Sequence, residues 1–271
     1  MEARRFAMGE LLTISPLLQA FLATVMTWAL TAAGAALVVF TRRTHPLVMD
    51  GMLAFGAGVM LASSYWSLLS PAIELAGELG QSPFMTAAAG FLSGGLILMG
   101  CDALLKRLLP ERIVRSDARR RSALLVSSIT LHNIPEGLAV GVTFGALAAL
   151  PTPAALTGAW MLALGIGLQN FPEGAAVSLP LRREGMSRGK AFFWGQLSAV
   201  VEPIAAVLGA LLAVHVQAIL PFALSFAAGA MVMVVIAELV PESQRSSRPA
   251  FMTLATMLGF AVMMILDVAL G

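Results

Sequence analysis

Eight apolar stretches, separated by short polar connections, constrain this chain more than any other feature. Each is long enough to cross a bilayer, which takes about 20 residues in a helix. The runs are continuous rather than alternating, and a helix satisfies its own backbone hydrogen bonds in lipid. The sequence therefore predicts an all-α polytopic membrane protein, a single domain over 1–271, with eight transmembrane helices at 17–40, 48–70, 84–108, 122–148, 154–180, 190–213, 218–240 and 250–270.

The balance of charged and apolar residues excludes a soluble protein. Only 12% of the residues are charged and 58% are hydrophobic, whereas about a quarter of the residues in a soluble domain are charged. The chain has too little polar surface to cover itself in water. Its single cysteine, Cys101, also excludes an intrachain disulfide and a thiolate-rich metal cluster.

Basic residues alternate from one connection to the next. Of the 17 Lys and Arg residues, 15 follow the first, third, fifth and seventh stretches, and the other two are Arg4 and Arg5. By the positive-inside rule those four connections are cytoplasmic and both termini lie outside. The net charge of +2 therefore reflects topology, and no nucleic-acid partner is expected. The most basic connection, 106–121, is predicted to contact anionic lipid headgroups.

One polar motif occurs twice inside these apolar stretches. The fourth stretch contains His132-Asn133-Ile134-Pro135-Glu136-Gly137, and the fifth contains Gln169-Asn170-Phe171-Pro172-Glu173-Gly174. In each copy the first and fifth residues share a helix face, because they are four residues apart. A third carboxylate precedes a proline in the sixth stretch, at Glu202-Pro203. Ionisable residues at membrane depth are costly and usually functional, so these residues predict the functional site.

The side chains of this cluster favour a divalent cation. They offer one imidazole, three amides and three carboxylates, with no thiolate. A divalent cation would offset the mutual repulsion of three buried carboxylates. The donor types suit zinc, iron(II) or manganese, with cadmium as a competitor, and do not suit copper(I). Neutral amides are weak ligands, which favours release of the ion and hence transport.

At these residues the chain resembles the ZIP family of divalent-metal transporters, and within it the GufA-like bacterial branch. The resemblance implies a ZIP-type bundle with an inverted 3+2+3 arrangement, a homodimer, and a bacterial inner membrane location. It further implies a binuclear metal centre. The primary site would consist of His132, Glu136, Gln169 and Glu173, and the second of Asn133, Asn170 and Glu202, with Glu136 and Glu173 bridging the two.

Four further residues are weaker candidates. Met60 in the second stretch resembles a methionine near the primary site of related proteins, and ordinary apolar packing is the alternative. Glu238, near the cytoplasmic end of the seventh stretch, belongs either to the exit route or to the membrane interface. Asp50 and Asp102 are candidates for lining the path.

These observations predict a secondary transporter, not an enzyme, that moves Zn²⁺ or a related divalent cation into the cytoplasm. Two other classes stay open. An intramembrane metallohydrolase commonly needs paired histidines, as in His-Glu-x-x-His, and the stretches contain one histidine at membrane depth. A proton-linked carrier for an organic solute would use the same carboxylates.

Overall fold

A computed structural model of the chain describes residues 13–40, 46–108, 117–149 and 151–270. Arg4, Arg5, residues 41–45 and residues 109–116 of the basic connection lie outside the described residues. The described part contains helices and no strand, in agreement with the predicted all-α class. Its eight long helices are α1 Pro16–Phe40, α2 Pro46–Glu78, α3 Pro83–Leu108, α4 Asp117–Ala146, α5 Pro153–Arg183, α6 Arg188–His215, α7 Gln217–Gln244 and α8 Pro249–Leu270.

Proline marks the start of five of these helices, α1, α2, α3, α5 and α8. At the first position of a helix the backbone N–H has no acceptor within the helix, so proline loses no hydrogen bond there, and its fixed φ is already helical. At α5 the preceding residue, Thr152, also accepts a hydrogen bond from the N–H of Ala155 at 3.1 Å, which caps the helix. The observed bounds follow the predicted ones within a few residues, except that α2 continues to Glu78.

Seven of the eight helices are long and apolar enough to cross a membrane, with mean hydropathies between 1.2 and 2.4. The remaining long helix, α4, spans 30 residues and carries the charged segment 117–121 as well as His132, Asn133 and Glu136. The polytopic class is confirmed, and the eighth span stays a prediction.

The helices pack most extensively in four pairs: α1 with α5, α2 with α8, α3 with α7, and α4 with α6. Glycine allows close approach where two of these pairs meet: Gly174 of α5 lies against the carbonyl of Thr31, and Gly137 of α4 against that of Glu202. The pairing is symmetric: it stays the same when α1, α2 and α3 are exchanged with α6, α7 and α8 and when α4 is exchanged with α5. An inverted 3+2+3 arrangement would have this symmetry, and that arrangement stays a prediction.

Helices α3 and α8 lie at the edge of the bundle. In the most apolar 18-residue segment of each of these two helices, only 17% of the residues are buried, against 39–61% in the five other candidate spans. The main apolar core joins α1, α2, α4, α5, α6 and α7, and Leu98 of α3 also belongs to it. The polar motifs therefore lie on helices that the rest of the bundle surrounds.

Three helices are interrupted next to a proline. In α2 the segment Ser64–Leu69 is a π-helix that precedes Pro71, and in α7 the segment Val235–Leu239 is a π-helix that precedes Pro241. In α6 the α-helix stops at Leu197 and resumes at Val201, just before Pro203. Because proline cannot donate to the carbonyl four residues earlier, the backbone forms other hydrogen bonds at these points.

The glycine contacts predict where the bundle tolerates a methyl group. A Cβ at Gly94 of α3 would overlap the carbonyl oxygen of Phe226 in α7, whereas a Cβ at Gly100 of the same helix has no neighbour within 4 Å. We expect Gly94→Ala to lower the free energy of unfolding by about 1–3 kcal/mol, since the helices must move apart. Gly100→Ala is the matched control and should change it by less than about 1 kcal/mol. Thermal unfolding in detergent measures both, and equal melting temperatures would contradict the close packing.

Candidate metal centre

The six polar residues of the two motifs and Glu202 are all buried where α4, α5 and α6 meet. Their exposed fractions are between 0 and 8%. Within the described residues, no Lys or Arg forms an ion pair with the three carboxylates of Glu136, Glu173 and Glu202. Uncompensated carboxylates are costly away from water, so the other groups that contact them determine whether this arrangement is stable.

Glu136 of α4 is joined directly to the second copy of the motif. The side-chain amide of Gln169 in α5 donates to its Oε1 atom. The structure thus brings together one residue from each copy of the motif. Glu136 shares a helix face with His132, and Gln169 shares one with Glu173.

Glu202 of α6 has more donors. The amide of Asn170 in α5 donates to both of its carboxylate oxygens, at 2.9 and 3.0 Å. The hydroxyl of Thr27 in α1 donates to its Oε2 atom. Helices α1, α5 and α6 therefore meet at one carboxylate.

Asn133 of α4 binds the interrupted part of α6. Because Pro203 has no N–H, the carbonyl of Ala199 accepts from the N–H of Glu202 at 3.0 Å instead. That shift leaves the carbonyl of Ser198 without its usual helical donor, and the amide of Asn133 donates to it at 2.9 Å. The Glu202-Pro203 pair and Asn133 are thus one structural unit.

The orientations of the three amides follow from their partners. Carboxylates and backbone carbonyls can only accept, so each amide must turn its nitrogen toward them and its oxygen away. The oxygens left over are buried and have no hydrogen-bond partner among the described residues. Five such oxygens belong to this cluster: Asn133 Oδ1, Gln169 Oε1, Asn170 Oδ1, Glu136 Oε2 and Glu173 Oε2.

A buried group of unpartnered acceptors is unusual, because more than nine in ten buried polar groups find a partner. All five oxygens can serve as metal ligands, those of the two carboxyl groups in the ionised form. The donor chemistry of the cluster therefore fits a hard or borderline divalent cation.

His132 contacts α7. Its Nε2 atom lies 3.2 Å from Oε1 of Glu238, for which the sequence left two roles open, the exit route and the membrane interface. Within the described residues, no three His, Cys, Asp or Glu side chains form a group that could hold a metal ion. The unpartnered amide oxygens of Asn133, Gln169 and Asn170 are further oxygen ligands that the cluster offers to a cation.

Met60 is buried in α2 as part of the main apolar core. Its structural setting supports apolar packing, the alternative that the sequence left open. Gly56, one turn earlier in α2, would place a Cβ 3.4 Å from that of Gln169, so this helix passes close to the site.

Two cavities lie at opposite ends of the bundle. One, of about 470 Å³, extends from His132 and Glu238 past Asp50 to Arg245, at the end that carries the basic connections. The other, of about 480 Å³, is lined by Glu74, Glu78 and other residues, and none of the residues singled out in the motifs lines it. Of the seven motif and Glu202 residues, His132 lines the cavity at the basic end. Asp102 lines neither cavity.

The family model described as "ZIP Zinc transporter" matches residues 111–267, which is more than half of the chain and includes both motifs and Glu202. The chain belongs to the ZIP family. This confirms the family inferred from the motifs and makes the chain a member of a family of divalent-metal transporters.

Similar proteins come from animals and bacteria. The zinc transporter ZIP11 of Xenopus tropicalis is 41% identical, over 95% of this chain and 98% of its own length. The zinc transporter GufA of Myxococcus xanthus is 39% identical, over 76% and 81%. The zinc transporter ZIPB of Bordetella bronchiseptica is 37% identical, over 90% and 79%. The last two confirm the bacterial branch to which the motifs pointed.

Two residues of this ZIP-family chain acquire contacts that the sequence did not predict. Thr27 of α1 contacts Glu202. The sequence feature that could have indicated this is the spacing of Thr24, Thr27 and Thr31, which gives an apolar helix one polar face. The carboxylate of Asp267 in α8 accepts a hydrogen bond from the hydroxyl of Ser67 in the α2 π-helix at 2.7 Å, and Asp267 lines the second cavity.

The amide–carboxylate contact predicts a cation-dependent variant. Gln169→Glu replaces the donor that contacts Glu136 by a second carboxylate. Two adjacent buried carboxylates require a cation, so we expect the melting temperature in detergent to fall in chelator and to recover with added zinc. Gln217→Glu, at an exposed position, is the control and should not respond. A Gln169→Glu protein equally stable with and without zinc would contradict this account of the site.

Proposed function

We propose that this ZIP-family protein is a secondary transporter that moves Zn²⁺ or a related divalent cation, such as Cd²⁺, Fe²⁺ or Mn²⁺, into the cytoplasm. The observation that carries the proposal is the buried cluster of five unpartnered oxygens on α4 and α5. Such a cluster is stable in lipid only with a cation or other compensating partner. Metal is the cargo in this proposal, and no covalent step is involved.

The inward direction is supported by the cavity that reaches His132 from the end with the basic connections. If that end is cytoplasmic, as the positive-inside rule indicates, the present arrangement is the one that releases cargo. The pair His132–Glu238 then lies at the start of the release route, and Asp50 lies further along it.

A binuclear centre is the finer part of the proposal. The ligands divide into two halves. One half contains His132, Glu136, Gln169 and Glu173, and the other contains Asn133, Asn170 and Glu202. Support comes from their contacts, since Gln169 binds Glu136 and Asn170 binds Glu202. The first half has the imidazole, which favours zinc, and the second has oxygen ligands alone.

The assembly and its location complete the proposal. The exposed apolar residues of α3 and α8, such as Leu92, Leu96, Leu254 and Leu258, suit a contact with a second copy or with acyl chains, and we propose a homodimer in the bacterial inner membrane. Both termini are placed outside the cytoplasm. Two measurements distinguish this proposal from the alternatives. Zinc binding to the purified protein distinguishes it from a proton-linked carrier for an organic solute, and zinc uptake distinguishes it from an intramembrane metallohydrolase.

Removing a ligand charge should abolish transport. We expect Glu136→Gln in proteoliposomes to lower the initial rate of zinc uptake at least about a hundredfold, because a buried charged ligand is replaced by a neutral one. Glu184→Gln, at an exposed residue next to the end of α5, is the matched control and should keep the wild-type rate. Equal uptake by the two variants, or by His132→Ala and wild type, would sink the proposal.

Orientation can be measured with two exposed serines. Ser82 lies between α2 and α3, and Ser247 lies between α7 and α8. In a Cys101→Ser background, a membrane-impermeant maleimide should label Ser82→Cys in intact spheroplasts, and should label Ser247→Cys only after permeabilisation. The reverse pattern would place the basic end outside and reverse the proposed direction.

A further inference from the structure

Thr27 is a residue of α1, a helix that carries none of the metal-site residues considered so far. Its side chain is fully buried, and its hydroxyl contacts Oε2 of Glu202. The carbonyl of Thr24, three residues earlier in the same helix, lies 3.0 Å from the same hydroxyl oxygen. Thr27 is thus within hydrogen-bonding reach of a carboxylate of the proposed metal centre and of a backbone acceptor.

A hydroxyl has one hydrogen to donate and lone pairs with which to accept. Thr27 can therefore donate to Glu202 or to Thr24 at any one time, but not to both. A change between the two needs a rotation of the hydroxyl hydrogen alone, because both acceptors are already within hydrogen-bonding distance. When the hydrogen points to Thr24, a lone pair of Thr27 faces Glu202.

We propose that Thr27 is a positioning residue for metal transport, whose hydroxyl substitutes for the cation at Glu202. While no cation is bound, the hydroxyl donates to the carboxylate; when a divalent cation binds Glu202, the hydroxyl turns to the carbonyl of Thr24. The inference rests on the proposed function, and adds to it a residue on α1 that adjusts how tightly the second half of the centre holds its cargo.

The direction of the effect follows from which state the hydrogen bond stabilises. A carboxylate that is fully buried, as Glu202 is, is costly without donors. Thr27 and Asn170 supply donors to the cation-free carboxylate and so lower its free energy. Because the same hydrogen bond must be broken when the cation binds, it weakens binding and speeds release. Transport needs release, so the hydroxyl favours turnover over affinity.

Thr27→Val is the direct test, because valine has the shape of threonine without its hydroxyl. We expect KM for zinc uptake in proteoliposomes and the Kd for zinc of the purified protein each to fall about tenfold, the factor expected for one hydrogen bond to a charged group. The maximal uptake rate should fall by a similar factor because release is slower. Thr27→Ser keeps the hydroxyl and should restore all three values to those of the wild type.

Thr31→Val is the matched control. Thr31 lies one turn further along α1, is equally buried, and its hydroxyl donates to the backbone of its own helix, at 3.3 Å to the Thr27 carbonyl. It should behave as the wild type. Melting temperatures in detergent show whether each variant is folded, and if Thr27→Val is not, Thr27→Ala gives the same comparison.

The outcomes separate this inference from the function on which it rests. If the wild type takes up zinc and Thr27→Val has the KM and rate of Thr31→Val, the inference is wrong and the proposed function stands. If Thr27→Val raises KM, the hydroxyl helps to bind the cation, which also overturns the inference. A wild type that neither binds nor transports zinc overturns both.

Discussion

Burial of three carboxylates without a matching cationic side chain is the constraint on which the rest of this structure depends. Among the described residues Glu136, Glu173 and Glu202 have no Lys or Arg partner. The groups that donate to Glu136 and Glu202 are neutral: the amides of Gln169 and Asn170 and the hydroxyl of Thr27. Neutral donors reduce the cost of a buried charge without cancelling it. In the proposed function, the remaining negative potential attracts the cation, and the neutral donors allow the site to release it.

The helix packing serves this arrangement. Polar groups can converge only if backbones approach closely, and Gly137 and Gly174, one residue after Glu136 and Glu173, remove the side chains that would keep the helices apart. Glu202 lies at the restart of α6 after an interruption caused by Pro203, and Asn133 binds the carbonyl that this interruption frees. Each of these candidate ligands is thus next to the residue that makes room for it or alters the backbone.

Much of the fold and part of the site could be predicted from the sequence. The helix bounds were predictable because apolar length and proline starts are local signals, and the spacing of the motif residues placed them on one face. The π-helices before Pro71 and Pro241 were not predicted, because a proline fixes which donor is missing but not which backbone bond replaces it. The contact of Thr27 with Glu202 joins residues 175 positions apart, and no local pattern encodes such a distance.

The sequence by itself determined the class of protein, the family and the candidate ligand residues, because composition, apolar length and motif chemistry need no knowledge of packing. The tertiary structure decided which of those residues contact one another. It paired Gln169 with Glu136 and Asn170 with Glu202, directed His132 to Glu238, and brought Thr27 into the site. These choices depend on how α1, α4, α5, α6 and α7 meet, and a hydrogen bond forms only between groups that packing has placed within about 3 Å of each other.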